Sequence, residues 1–211
     1  SYGGAIFTAR GSLDITRSTL SGNYTSGAYS GGGAVASFTS GQVRILNSTL
    51  SGNAVLGSNS YGGGAVHIQG SKVLIVNSTI TNNYAEYSGG IDVYSDIEGQ
   101  SLTIINSIIA GNDAASNPDF TGLGLETLVV RNSLIGDNDG TGLSATSGTT
   151  PDANGNFIGT GAFTAAQIGL GPLSFNGGNT QTHALLATSL AHNSGDDDRA
   201  TIDGLVGSAT L

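Results

Sequence analysis

The sequence predicts an all-β solenoid, a parallel β-helix of about five or six coils closed by a non-repeating C-terminal cap. Three observations predict it. The stretch Asn47-Ser48-Thr49-Leu50-Ser51-Gly52-Asn53 returns thirty positions later as Asn77-Ser78-Thr79-Ile80-Thr81-Asn82-Asn83. Within each unit apolar residues alternate, as one face of a strand requires. The composition is rich in turn formers, with 35 Gly but only 3 Pro, and charged residues make up 10% of the 211. A disordered chain would carry more charge and fewer β-branched residues.

Taken in order, the first unit runs Gly3-Gly4-Ala5-Ile6, Leu13-Asp14-Ile15 and Ser18-Thr19-Leu20-Ser21-Gly22-Asn23. The second repeats it as Gly32-Gly33-Ala34-Val35, Val43-Arg44-Ile45 and Asn47 to Asn53, and the third as Gly63-Gly64-Ala65-Val66, Val73-Leu74-Ile75 and Asn77 to Asn83. The fourth has Gly89-Gly90-Ile91-Asp92-Val93, Leu102-Thr103-Ile104 and Asn106 to Asn112, and a worn fifth has Leu128-Val129-Val130 and Asn132 to Asn138. The residue before the recurrent Ser falls at 17, 47, 77, 106 and 132, giving intervals of 30, 30, 29 and 26. One short strand cannot bury its apolar face alone. Stacking equivalent strands does so, at about 4.8 Å per coil, in a column roughly 25–30 Å long.

The recurrent Asn residues mark coil corners, where Asn and Gly tolerate positive φ best. Asn47, Asn77, Asn106 and Asn132 form one candidate hydrogen-bonding ladder. Asn23, Asn53, Asn83, Asn112 and Asn138 form a second. Asn23, Asn47 and Asn77 also match the glycosylation acceptor pattern, which the repeat itself generates at the last two. From Gly140 the repeat dissolves, so residues 1–139 read as the β-helix and 140–211 as an irregular last coil and cap.

Composition excludes several function classes. A net charge of −9 and six scattered basic residues make no patch for nucleic acid. No apolar run reaches the roughly 20 residues of a membrane-spanning helix. Cysteine is absent, so there is neither a disulfide framework nor a thiolate metal site. The chain opens at Ser1 in mid-pattern, which suggests a processed or excised piece. Neighbouring coils or a second copy are then expected to cover that end, and head-to-tail stacking of copies would give a filament.

The Gly-Gly-Ala-Ile/Val strand start, the Asn-Ser-Thr-Leu/Ile turn and the coil period resemble bacterial right-handed parallel β-helix repeat surface proteins, including relatives of chlamydial polymorphic outer-membrane proteins. The tail, Leu170-Gly171-Pro172-Leu173 followed by Asn176-Gly177-Gly178 and Thr180-Gln181-Thr182-His183-Ala184-Leu185, resembles the segment that closes the helix in choice-of-anchor-type secreted proteins. There Ser-Pro-Ala-Ile-Asp-Ala-Gly-Asp usually follows. Here Ser189-Leu190-Ala191-His192-Asn193-Ser194-Gly195-Asp196 stands in its place. The resemblance implies a right-handed helix, an extracellular or cell-surface location and a structural or adhesive role. It supplies no catalytic residues.

Chemistry-bearing residues are sparse. Asp92, Asp96 and Glu98 in the fourth unit, and Asp196-Asp197-Asp198 near the end, are the places where Ca²⁺ would bind. The terminal run lacks the alternating spacing of an EF-hand loop, and the reading as a solvated face is favoured over a metal site for both groups. His67 lies between Val66 and Ile68 in a strand and is expected to point outward and be exposed. His183 is expected to hydrogen-bond within the cap. All seven Tyr lie in the first 94 residues. Tyr2 and Tyr61 match before the Gly pair, and Tyr24 and Tyr84 match after the Asn, where they could contact a glycan or simply stack. No catalytic constellation and no cofactor motif stand out. The leading expectation is therefore a non-enzymatic structural or adhesive protein. The alternatives are a polysaccharide lyase or hydrolase, or a non-catalytic carbohydrate-binding module.

Overall fold

The structure, a computed structural model, describes residues 1–38, 41–94, 99–161 and 163–199. Three parallel sheets run along the solenoid. The first pairs Ile6–Thr8, Val35–Phe38, Val66–Gln69 and Ile91–Tyr94. The second pairs Leu13–Thr16, Gln42–Leu46, Lys72–Val76, Ser101–Ile105 and Thr127–Arg131. The third pairs Thr19–Ser21, Thr49–Ser51, Thr79–Thr81, Ile108–Ile109, Leu134–Ile135 and Phe157–Ile158. A short pair, Tyr24–Thr25 with Ala54–Val55, fills a further side.

Four turns carry a strand in every sheet, fewer than the five or six coils that the repeats suggest. The fifth keeps strands in the second and third sheets only, and the sixth keeps Phe157–Ile158 alone. In the first sheet the fifth turn shrinks to one bridge between Ile91 and Phe120. Pro118, two residues earlier, has no N–H to bring to that ladder.

Register is identical from turn to turn, so like residues stack. Val35, Val66 and Ile91 form one inward column, and Ile45, Ile75 and Ile104 form another. Leu50, Ile80, Ile109 and Ile135 form a third, and all of these side chains belong to one buried core. Burying each aliphatic side chain contributes about 1.5–3 kcal/mol, against about 1 kcal/mol net for a hydrogen bond. Apolar columns therefore supply most of the stability, and polar ladders supply the register. The turns also approach closely. A Cβ on Gly33 would lie 2.1 Å from Gly64 O, and one on Gly64 would lie 2.2 Å from Gly89 O. Hence the repeated Gly.

At the first corner Arg17, Asn47, Asn77, Asn106 and Asn132 have φ between 49° and 51°. Asn77 Nδ2 donates to Asn47 Oδ1 at 3.3 Å, while Asn106 turns to the backbone of Asp196. The continuous ladder at this corner belongs to the next residue. The N–H groups of Ser18, Ser48, Ser78 and Ser107 each donate to the Ser hydroxyl of the following turn, and Ser133 N–H donates to Asn156 Oδ1.

At the second corner the asparagine ladder is complete. Asn23, Asn53 and Asn83 each donate through Nδ2 to the next Asn Oδ1, at 2.9, 2.9 and 2.8 Å. Asn53 and Asn83 are buried. The ladder ends on Asp119 rather than on Asn138, which donates instead to Leu143 O. Asp119 Oδ1 accepts from Asn112 Nδ2 at 2.9 Å, and Oδ2 accepts from Asp137 N–H at 2.7 Å. Burial pushes the Asp119 carboxyl up from 3.8 to about 7, against those hydrogen bonds.

After the sixth turn the chain doubles back. A helix at Ala165–Ile168 and an antiparallel hairpin, Leu170–Ser174 with Thr182–Leu185, lie along the outer face of the third sheet. Ile168, Leu134, Phe157 and Ala110 form a second small core there. Thr19 Oγ1 donates to Gln181 O at 2.6 Å, so the tail reaches back to the first turn. His183 Nδ1–H donates to Gly171 O within the hairpin, and its Nε2 accepts from Ser51 Oγ at 2.9 Å. The end of the third sheet is met by Thr146, whose N–H donates to Ile158 O and whose hydroxyl accepts from Ile158 N–H.

Two stability outcomes follow from the ladders. Asn83→Ala leaves Leu50 O and the Asn53 N–H without their buried partners and should cost roughly 3 kcal/mol by denaturant unfolding. Asn47→Gly, at an exposed corner with φ 51°, should change stability by less than about 0.5 kcal/mol. Asp119 adds a pH dependence. Folded chains hold its proton up to about pH 7, whereas unfolded chains release it near 3.8. Its contribution is fully present below the unfolded value and is lost as pH rises through about 7. Asp119→Asn should remove a stability loss on the order of a few kcal/mol between those limits, read as the wild-type minus variant difference across pH.

Candidate functional site

The outer face of the first sheet is built unlike the other two. Inward positions alternate with outward ones, and the outward column in register is Phe7, Ala36, His67 and Asp92. The next outward column is Phe38, Gln69 and Tyr94. Tyr2, just before the first strand, bridges to Gly31 and so lies over the same sheet edge. Tyr2 stacks on Tyr61 at 6.3 Å and meets Phe38 edge-on at 4.5 Å. Phe7 meets Phe38 at 5.5 Å, and Tyr29 tilts toward Tyr61 at 6.5 Å. Beside these rings lies a cleft of about 150 Å³ lined by Tyr2, Phe38, Tyr61, His67, Gln69 and Tyr94. Burial, then the Tyr61 hydroxyl, push the Tyr2 phenol above its ordinary value.

His67 sits in this cleft but is not exposed as its strand position suggests. Only 2% of it is accessible, because the rings around it close over it. Its ring stacks on Tyr61 at 5.9 Å and meets Phe38 edge-on at 5.5 Å. Nδ1 lies 2.6 Å from Asp92 Oδ2 across adjacent turns. The other oxygen of Asp92 accepts from Ser88 Oγ at 3.4 Å and from Thr121 Oγ1 at 3.3 Å. A carboxylate only accepts, so Nδ1 carries the hydrogen and Nε2 is left for another group.

Among the described lining residues there is no carboxylate, Lys or Arg. The described residues therefore do not assemble the paired carboxylates of glycoside hydrolysis there. A second cavity of about 160 Å³ lies between the tail and the solenoid wall, lined by residues such as Ile108, Leu134, Phe157 and Leu185, with no titratable group.

This chain belongs to the right-handed β-helix family. The family described as "Right handed beta helix region" matches residues 3–159, which include every strand of the three sheets. No curated protein and no solved structure matches the chain.

The other residues singled out from the sequence of this β-helix are dispersed. Asp92 is committed to His67, and Asp96 and Glu98 lie outside the described residues. Asp196 is held by Asn106 at the opposite side, and Asp197 and Asp198 are exposed in a short 3₁₀ turn. Among the described residues no three His, Cys, Asp or Glu are grouped to hold a metal. Tyr24 and Tyr84 share one column two turns apart with Ala54 between them, and they are 62% and 46% exposed. The His67–Asp92 pair was legible only as Asp92 taking the register position of His67 one turn on. The interval of 25 residues, rather than 30, hid it.

Proposed function

We propose that this β-helix is a non-enzymatic, extracellular adhesive protein whose binding face is the aromatic cleft of the first sheet, and that its ligand is a carbohydrate. The observation that carries the reading is the cluster of Tyr2, Phe7, Phe38 and Tyr61 on the outward side of a sheet whose core lies inward. Those rings contribute nothing to the inward columns. Aromatic faces take the C–H side of sugar rings, while Gln69 supplies a donor and an acceptor beside them. A net charge of −9 disfavours polyanions. The bacterial surface setting follows from the resemblance of the repeats and the tail.

One observation favours the enzymatic alternative. His67 held by Asp92 is the arrangement of a general base and its orienting carboxylate. The described cleft offers that base neither a second carboxylate nor a cationic group for a uronate, so binding is the better reading.

The test is retention on immobilised polysaccharides. Wild type should be retarded, and Tyr61→Ala should weaken retention roughly fivefold, since stacking on one ring is worth about 1 kcal/mol. Tyr24→Ala with Tyr84→Ala separates the two aromatic sites and should leave cleft binding unchanged. Release of reducing ends or unsaturated sugars during the assay would overturn the non-enzymatic reading.

A further inference from the structure

We infer that the cleft reads a neutral sugar ring, with His67 Nε2 accepting a ligand hydroxyl and Tyr29 acting as a further binding residue at the rim; this rests on the carbohydrate-binding reading above. Three observations carry it. First, His67 is almost wholly buried, its Nδ1 is taken by Asp92, and its Nε2 has no partner among the described residues. Nε2 is not among the buried side-chain atoms left without a partner, so it keeps access to the cleft, where a ligand hydroxyl can take the place of water.

Second, the ring is held on every side. It packs between Tyr61 and Phe38, and a Cβ on Gly31 would come within 3.0 Å of its Cγ. Asp92 is itself fixed by Ser88 and Thr121. A Phe would fill this space equally well, so packing alone does not call for an imidazole anchored to a carboxylate. As a neutral imidazole with its hydrogen on Nδ1, His67 presents a fixed acceptor, which suits a hydroxyl and repels a carboxylate or sulfate. No Lys or Arg is among the described lining residues to reverse that preference.

Third, Tyr29 is strained. It has φ 56°, at the corner where the matching residue of the next turn is Asn59, with φ 52°. Asn visits this left-handed region readily, whereas a residue with a bulky ring is an outlier there. The Tyr29 ring is 59% exposed and adds little to the core, yet it leans on Tyr61 at the cleft. Strain kept at a site without a packing return points to a binding role.

The experiment measures binding of neutral oligosaccharides from glucan, mannan and galactan, and of oligogalacturonate, by isothermal titration, with melting temperatures recorded in parallel. Asp92→Asn preserves an acceptor for the Nδ1–H and is the background against which the double variant is compared. His67→Phe combined with Asp92→Asn removes the Nε2 acceptor without leaving a buried charge unpaired, and should lose at least tenfold in affinity. Tyr29→Asn should raise the melting temperature while weakening binding several-fold, a pairing that a purely structural residue would not give.

If Tyr61→Ala weakens binding but the double variant and Tyr29→Asn bind like wild type, this inference fails and the carbohydrate reading stands. Preference for oligogalacturonate overturns the neutral class. Should the double variant fail to fold, Tyr29→Asn decides alone, and unchanged binding in it overturns the inference. If wild type binds none of the four probes, both readings fall together.

Discussion

The structure depends on one constraint: each turn must hand its backbone hydrogen bonds to the next turn in the same register, including at the corners, where extended strands cannot do so. Along the flat sides the parallel ladders suffice. At a corner the chain passes through a left-handed residue and the neighbouring N–H loses its ladder partner. Side chains then take over. Ser hydroxyls serve the first corner, and Asn carboxamides serve the second with both a donor and an acceptor per rung. Because a rung at one turn needs a rung at the next, the requirement propagates, and the sequence repeats.

Propagation must also stop, and the stopping residues differ in chemistry from those they replace. The serine ladder ends on Asn156, whose Nδ2 is held by Asp152 and by Val130 O. The asparagine ladder ends on Asp119, whose two oxygens accept and need no further rung. A carboxyl group can close a ladder that a carboxamide would extend, and its desolvation is the cost, seen in its raised affinity for a proton. The tail secures the rest of the wall from outside, with contacts to Thr19, Ser51 and Asn106 in three different turns.

The repeated part of the molecule was largely legible in the sequence, since alternation and period follow from strand geometry and stacking alone. The inward columns and the left-handed corners at Asn47, Asn77, Asn106 and Asn132 were readable for that reason. Two things were not. The serine ladder was masked by the more conspicuous Asn beside it, although Ser18, Ser48, Ser78, Ser107 and Ser133 recur as strictly. The cleft was masked because its members come from different positions in the unit. Tyr2 and Tyr61 precede the Gly pair, Phe38 and Gln69 end strands, and Asp92 reaches His67 only after a shortened interval. Periodicity reveals what every turn shares and is blind to what single turns contribute.

That blindness locates function in this architecture. A column whose stability is internal and additive over turns leaves its outward positions nearly free, so a departure from the repeat there is not required by folding. At the corner it shares with Asn59, Tyr29 accepts an unfavourable backbone to present a ring. In the outward column shared with Ala36, His67 accepts burial of an imidazole and requires a second buried polar group, Asp92, one turn away. Both departures work against stability, both fall on one face, and both touch Tyr61 directly. Two independent costs converging on one ring are better explained by something that ring binds than by anything the solenoid needs.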